Sequence, residues 1–122
     1  MNKILIVDDD RDILEVVSML LKRNDYSVMT ISRGTYIDGS IQSFSPDLIL
    51  LDVALAGEDG REICKRLKKT DETKDIPVIL FSAHYDLVNN IRDCHADGLV
   101  TKPFEVPFLL DTIRKNIKSI NN

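Results

Sequence analysis

Short runs of apolar residues recur along the chain, and each pair of runs leaves room for one helix between them. This rhythm is typical of repeated βα units. Three of the runs are continuous rather than alternating, which indicates parallel strands covered by helices on both faces. The five predicted strands are Lys3 to Val7, Tyr26 to Ile31, Asp47 to Leu51, Pro77 to Phe81, and Leu99 to Thr101.

Between these runs, apolar residues recur every three or four positions, which predicts amphipathic helices. Asp10 is predicted to be the N-cap of the first helix, and Asp59 a turn or cap residue before the third. Five βα units predict one doubly wound α/β domain over residues 1–122, with a helical layer on each face of a parallel sheet and no output domain. The predicted helices are Asp10 to Asn24, Thr35 to Phe44, Gly60 to Lys69, Asp86 to Cys94, and Val106 to Ile120.

Composition narrows the class of function. The chain has 43% hydrophobic and 30% charged residues, which is ordinary globular usage, and a formal net charge of -4. Nucleic-acid binding is driven by clustered Lys and Arg, so an acidic chain argues against it. The apolar run from Ile4 to Val7 is too short for a signal-peptide core or a membrane span. The sequence therefore predicts a cytoplasmic protein that binds neither nucleic acid nor membrane.

The cysteines and histidines offer a possible metal site of another kind. Cys64 and Cys94 are the only cysteines, and His84 and His95 the only histidines. Zinc sites are recognised by clustered ligand spacing, and no CxxC or HxxxH pattern is present. In the cytoplasm both thiols stay reduced. We interpret these four residues as core or surface positions.

Polar residues of distinct chemistry follow four of the predicted strands. Asp8 and Asp9 follow the first strand, Asp52 the third, Ser82 the fourth and Lys102 the fifth. Taken singly, most of these residues are ordinary turn, cap or solvated side chains. Asp52 differs, because a carboxylate after so apolar a strand costs free energy unless it faces a cation or a polar cleft. Since parallel strands end at one edge of the sheet, all five residues are expected to converge.

This set of groups suits the transfer of a phosphoryl group to a carboxylate. Asp52 is the candidate nucleophile, which would form an acyl phosphate. Asp9, helped by Asp8, is the candidate ligand pair for Mg²⁺, which prefers one or two carboxylates, waters and phosphoryl oxygens. The Lys102 ammonium and the Ser82 hydroxyl are expected to stabilise the peripheral oxygens of the transferred group.

At these residues the chain resembles the receiver domain of two-component response regulators, of the chemotaxis-regulator type, over essentially its whole length. The resemblance rests on ILIVDDD near the start, PDLILLD ending at Asp52, EDG at residues 58–60, PVILFSA through Ser82 and TKPF at residues 101–104. It implies a flavodoxin-like (βα)5 three-layer sandwich with strand order 2-1-3-4-5. It also implies a phosphoryl-accepting switch that assists its own phosphorylation and dephosphorylation but has no separate substrate.

The resemblance further implies partners and ligands. The donor would be a histidine kinase or a histidine phosphotransfer protein, and the receiver of the signal a protein target or a relay acceptor. Mg²⁺, or Mn²⁺ in its place, would be held by Asp8, Asp9, Asp52 and the carbonyl of Ala54. The backbone N–H of Ala83 would contact the phosphoryl group, and the peptide before Pro103 is expected to be cis. Both a monomer and a phosphorylation-dependent dimer fit the sequence.

Two other functions are alternatives to a phosphoryl-accepting switch. A pseudo-receiver that only binds partners would be indicated by loss of the acidic pair, Asp52 or Lys102, and none of these is lost. A phosphohydrolase with an aspartyl nucleophile generally needs a second acid or base carboxylate and a cap over its substrate. The kinase, the target, and whether the chain acts alone or within a longer protein stay open.

Two residues depart from what is usual in the family. Ala56 stands where proline is usual, and with Gly57 it predicts a less stiff loop beside the metal site. Leu99 stands where an aromatic residue usually couples its ring rotation to movement of the hydroxyl residue. Any switch on the face of the fourth helix, fifth strand and fifth helix is therefore expected to work through Ser82 and apolar repacking.

Ala54 and His84 occupy the positions that border the attacking water in the family. Ala54 has no side chain to orient that water, while His84 can screen or assist it, so the pair favours a long-lived phosphoryl group. Decay of labelled phosphate from wild type and from His84→Ala measures this lifetime. A wild-type half-life of seconds would contradict the prediction.

Overall fold

Five parallel strands form the centre of the protein. The computed structural model describes residues 2–83 and 94–121, with side chains as far as residue 117. The strands pair in the order β2-β1-β3-β4-β5, which confirms the predicted doubly wound arrangement. They are β1 (Lys3–Val7), β2 (Ser27–Ile31), β3 (Leu48–Asp52), β4 (Val78–Ser82) and β5 (Gly98–Thr101).

Helices connect the strands much as predicted. They are α1 (Arg11–Arg23), α2 (Ile37–Phe44), α3 (Gly60–Lys69) and a C-terminal helix (Val106–Asn121). The predicted helix from Thr35 is divided, because a 3₁₀ turn (Gly34–Tyr36) precedes α2 and Tyr36 has a ψ of 0°. The helix predicted from Asp86 lies outside the described residues, apart from its last position.

The continuous apolar strands supply two separate cores. Alternate residues point to opposite faces, so Leu5 and Leu51 pack with α2 and α3, while Ile6 and Leu50 pack with α1 and the C-terminal helix. Every residue from Leu48 to Leu51 is fully buried. This double coverage explains why these strands show no polar alternation, as expected for a buried parallel sheet.

Two strands extend one residue further than predicted, to the residues of the candidate site. Asp52 stands opposite Phe81 in the register and is the last residue of β3. Ser82 likewise ends β4, where its carbonyl accepts the N–H of Lys102 at 2.7 Å. The second strand is shorter than predicted, because the N–H of Tyr26 donates to Leu21 at the end of α1.

Side-chain caps fix where two helices begin. The Asp10 carboxylate accepts the N–H groups of Asp12 at 2.9 Å and of Ile13 at 3.4 Å. Asp59 accepts the N–H of Arg61 at 2.9 Å at the start of α3. Both residues are the caps that the sequence predicted. No helix in the described part of the chain is long and apolar enough to cross a bilayer.

A lysine with a largely buried side chain holds together the edge of the sheet at which β4 and β5 begin. The Lys68 side chain is only 10% exposed, and its Nζ lies 2.6 Å from Asp97 Oδ2. The same ammonium donates to the carbonyl of Ile76 at 2.7 Å and to that of Lys74 at 3.3 Å. Asp97 in turn accepts the N–H of Val78 at 2.8 Å. One charged pair thereby joins α3 to the starts of β4 and β5.

Removal of this lysine should destabilise the fold. Lys68→Met is expected to lower the free energy of unfolding by about 2–3 kcal/mol, because two carbonyls and a half-exposed carboxylate lose their charged partner. Urea unfolding followed by circular dichroism measures the change. Lys74→Met is the control, because Lys74 and Asp71 form an exposed pair at 3.6 Å and should cost less than about 0.5 kcal/mol. Equal losses in the two variants would contradict the prediction.

Candidate phosphoryl-transfer site

Three carboxylates meet at the carboxyl edge of the sheet. Asp8 and Asp9 directly follow β1, Asp52 ends β3, and one carboxylate oxygen from each lies within 4.8 Å of the others. Asp8 is 1% and Asp52 5% exposed, whereas Asp9 is open to solvent. Within residues 2–83 and 94–117 this is the one group of three or more potential metal-ligating side chains.

Lys102 brings a positive charge to this group. It follows β5, and its Nζ lies 2.9 Å from Asp8 Oδ2 and 3.4 Å from Asp52 Oδ1. The ammonium also lies 5.3 Å from the centroid of the Phe81 ring. The peptide between Lys102 and Pro103 is cis, as the family resemblance implied. The structure therefore brings Asp8, Asp52 and Lys102 together as the sequence predicted.

The carboxylates carry more charge than one ammonium balances. Burial and, after it, the charge of Asp8 raise the pKa of Asp52 from 3.8 to about 6, against the opposing effects of Lys102 and of the Ala54 N–H. Burial by itself would lower the pKa of Lys102, but the hydrogen bond to Asp8 and the charge of Asp52 outweigh it, and the pKa is raised. Surplus negative charge and hard oxygen donors are what a divalent cation such as Mg²⁺ requires.

The remaining predicted residues lie around this centre or beyond the described residues. Ser82 is buried at the end of β4, and Ala83 directly after it is exposed. Ala54 is exposed, and its backbone N–H lies near enough to the Asp52 carboxylate to lower the pKa of Asp52. Leu99 pairs with Leu80 and packs, half-buried, into the core on the α2 and α3 side. His84 lies outside the described residues.

The loop after β3 forms a short hairpin that the sequence did not predict. Ala54–Leu55 pairs with Glu58–Asp59, and Gly57 adopts a φ of 75° in the turn. The Arg61 guanidinium forms a bidentate ion pair with the Asp59 carboxylate. These hydrogen bonds hold the pKa of Asp59 below its usual value. Alternation over two residues gives too weak a signal to predict such a strand.

Glu58 is half-buried and contacts a distant turn. Its Oε1 accepts the N–H of Gly34, 24 residues earlier, at 3.0 Å. This contact joins the hairpin to the turn before α2. It joins residues far apart in sequence, so only the tertiary structure reveals it.

The two cysteines pack in the core. The Cys64 thiol donates to the carbonyl of Cys94 at 3.4 Å, and both residues are buried. Burial raises the pKa of the Cys64 thiol, which keeps it protonated. Cys64 and Cys94 are therefore core residues, one of the two placements that the sequence suggested for them.

The raised pKa of Asp52 predicts how stability depends on pH without metal. Because the folded state binds this proton more tightly than the unfolded state, stability should fall as pH rises from about 4 to above 6, by up to about 3 kcal/mol. Asp52→Asn has no carboxylate to titrate at this position. The free energy of unfolding of the variant should therefore rise relative to that of wild type as the pH increases from about 4 to above 6. Urea unfolding in the presence of EDTA between pH 4 and 8 tests this.

Asp71→Asn provides the control, because Asp71 is exposed in the loop after α3. The free energy of unfolding of Asp71→Asn should depend on pH as that of wild type does. If the free energy of unfolding of Asp52→Asn also depends on pH in the same way as that of wild type, the prediction is wrong.

Comparison with known proteins identifies the family of this fold. Residues 4–114 match the family profile of the response regulator receiver domain. The DNA-binding dual master transcriptional regulator RpaA of Synechocystis sp. is 37% identical over an alignment of 116 residues, and the alignment covers 93% of this chain and 48% of RpaA. The chain thus spans about half the length of that curated relative.

Solved structures agree with the sequence match. A putative response regulator from Chloroflexus aurantiacus is 27% identical with a TM-score of 0.90, and the alignment covers 96% of this chain and 98% of that one. The chemotaxis response regulator CheY4 of Vibrio cholerae is also 27% identical, with a TM-score of 0.87 over 95% and 98% of the two chains. The signal receiver domain of a histidine kinase from Syntrophus aciditrophicus is 28% identical, with a TM-score of 0.89 over 98% and 92%. The profile match and the shared fold show that the chain belongs to the response regulator receiver domain family.

Proposed function

We propose that Asp52 accepts a phosphoryl group from a histidine kinase or a histidine phosphotransfer protein. The observation that carries the proposal is the cluster of Asp8, Asp9 and Asp52, with the Lys102 ammonium bonded between the two buried carboxylates. Membership of the receiver family supports a regulatory role in a two-component system. In this proposal the chain acts in the cytoplasm as one receiver unit.

The transfer is an exchange of one bond to phosphorus for another. An Asp52 carboxylate oxygen attacks the phosphorus atom, the phosphorus–nitrogen bond of the donor phosphohistidine breaks, and its electron pair returns to the imidazole nitrogen. An acyl phosphate on Asp52 and a neutral or protonated donor histidine result. The raised pKa of Asp52 supports a functional role, because burial and a neighbouring like charge perturb titratable groups most often at functional sites.

Mg²⁺ fits the donor set, and Mn²⁺ is an alternative of the same coordination preference. Asp8, Asp9 and Asp52 would hold the ion through their carboxylates, with the carbonyl of Ala54 as a further ligand. When bound, the cation neutralises charge on the carboxylates and on the phosphoryl oxygens. The exposure of Asp9 supports this arrangement, because an ion from solvent can reach the cluster at this residue.

Three groups of the chain are proposed to receive the phosphoryl oxygens. The Lys102 ammonium already lies 3.4 Å from Asp52 and can exchange its bond to Asp8 for one to the phosphoryl group. The Ser82 hydroxyl and the Ala83 N–H stand at the end of the neighbouring strand, from where they can donate to the other oxygens. Asp8 is then free of its ammonium and available to the cation.

Movement of Ser82 toward the phosphoryl group is proposed to carry the signal. Phosphorylation would shift a pre-existing balance between two conformations of the partner-binding surface. Leu99 supports a readout by apolar repacking, because its half-buried side chain lies in the strand beside β4 and has no group that donates a hydrogen bond. The partner would be a protein target or the next carrier in a phosphorelay.

Phosphorylation of the intact protein tests the proposal. Incubation with acetyl phosphate and Mg²⁺ should add the mass of one phosphoryl group to wild type and to the exposed-residue control Asp71→Asn. Asp52→Asn should gain none. Lys102→Ala should be modified at least about tenfold more slowly, because one charged hydrogen bond to the phosphoryl group corresponds to roughly that factor. Mass spectrometry of the intact chain follows all four proteins.

Two results would contradict the proposal. Equal modification of wild type and Asp52→Asn would place the phosphoryl group elsewhere. No modification of wild type, despite Mg²⁺ binding in calorimetry, would instead favour a receiver fold that works only as a binding module.

A further inference from the structure

The Glu58 carboxylate is bound to backbone far from it in sequence. Its Oε1 accepts the N–H of Gly34 at 3.0 Å, and the side chain is half-buried. Gly34 opens the 3₁₀ turn that leads into α2, and Arg33 before it gives no side-chain cap. Glu58 therefore supplies from the hairpin the cap that the local sequence lacks, with a negative charge at the start of a helical segment.

The glycine at position 34 makes this contact possible. A Cβ at that position would lie 2.9 Å from Glu58 Oε2 and 2.5 Å from Ile63 Cδ1. Both distances are shorter than a carbon atom tolerates against a neighbour. The carboxylate of Glu58 therefore lies directly against the Gly34 backbone, in a space that any side chain at position 34 would fill.

The hairpin that carries Glu58 is also attached to the phosphoryl-transfer site. Ala54 follows Asp52 by two residues and stands opposite Asp59 in the hairpin. The Gly60 N–H donates to the carbonyl of Val53 at 2.8 Å. A Cβ on Gly60 would overlap the Asp52 carbonyl oxygen. The base of the hairpin thus lies against Asp52, while its far strand is held by Glu58.

We propose that Glu58 is a positioning residue for the metal site. Its bond to Gly34 holds the hairpin, and with it the backbone at Ala54, in the place where the Ala54 carbonyl and the Asp52 carboxylate can bind one cation. This rests on the proposed function, in which Asp52 and Ala54 are metal ligands. Neither Ala56 nor Gly57 restricts the backbone of the turn as a proline would. The hydrogen bond between Glu58 and Gly34 therefore restrains the hairpin from outside the turn.

Two substitutions of Glu58 separate the effect of its hydrogen bond from the effect of its charge. Glu58→Met keeps a side chain of similar length but removes the acceptor, whereas Glu58→Gln keeps an acceptor and removes only the charge. Glu62→Gln is the matched control, since it removes the same charge from an exposed side chain on α3. Two-dimensional NMR spectra establish that each variant is folded.

Two measurements follow the effect. In the metal-free protein, exchange of the Gly34 amide proton should be about tenfold faster in Glu58→Met than in wild type, because that amide loses a charged acceptor. In calorimetric titration with MgCl₂, Glu58→Met should bind about fivefold or more weakly. Glu58→Gln should stay within about threefold of wild type in both measurements, and Glu62→Gln should be unchanged.

A double variant tests whether stiffness is the cause. Gly57 has a φ of 75°, the value at the third position of a type II turn, where proline is favoured at the preceding residue. Adding Ala56→Pro to Glu58→Met should therefore restore most of the lost Mg²⁺ affinity without restoring the protection of the Gly34 amide.

The possible failures are distinguishable. If Glu58→Met binds Mg²⁺ as well as wild type does, Glu58 does not position the site, and the proposed function stands. If Glu58→Gln and Glu62→Gln weaken binding as much as Glu58→Met, charge rather than position is responsible and the inference is overturned. If wild type itself binds no Mg²⁺, the proposed function and the inference that rests on it both fail.

Discussion

Two buried carboxylates share a single ammonium at the edge of this sheet, and the properties of the site depend on that imbalance. Asp8 and Asp52 both lie within bonding distance of Lys102, and Asp9 adds a third negative charge. Two charges 4 Å apart interact by about 4 kcal/mol at an effective dielectric constant of about 20, against about 1 kcal/mol in water. The cluster therefore gains free energy from any further cation, and a proton on Asp52 and a metal ion compete for the same surplus charge.

The rest of the fold holds these charges in a place where water cannot screen them fully. Asp52 ends a strand whose preceding four residues are fully buried between two helical layers. The neighbouring strands bring Ser82 and Lys102 to the same edge through backbone pairing, including the bond between the Lys102 N–H and the Ser82 carbonyl. The groups of the site therefore stand at the ends of strands or directly after them, where pairing in the sheet fixes their positions.

Much of this could be predicted from the sequence, because each prediction depended on one strand at a time. A continuous apolar run followed by Asp8 or Asp52 identifies both a buried strand and its polar end, and the parallel arrangement brings these ends together. The caps Asp10 and Asp59 were predictable because they act on the next few residues. The predicted end of β3 fell one residue before Asp52. The last paired residue of a strand depends on the partner strand, here through the pairing of Asp52 with Phe81.

What the sequence could not predict depends on contacts between distant segments. The hairpin around Gly57 has two residues per strand, too few for a pattern, and the Glu58 bond to Gly34 crosses from one loop to another. Glu58 looks like one more surface acid in an acidic loop, and Gly34 like one more turn glycine. The raised pKa of Asp52 likewise results from burial and from Asp8, which lies 44 residues away in the chain.

The bond between Lys102 and Asp8 spans 94 residues of a 122-residue chain, and this separation bears on how the protein folds. Closing a loop of this length costs conformational entropy, which other contacts of the fold must offset. A chain that has formed β1 to β4 but not β5 holds its carboxylates without their internal cation. The complete charge cluster therefore exists only when β5 is paired with β4, so it is a property of the whole folded chain rather than of any one segment.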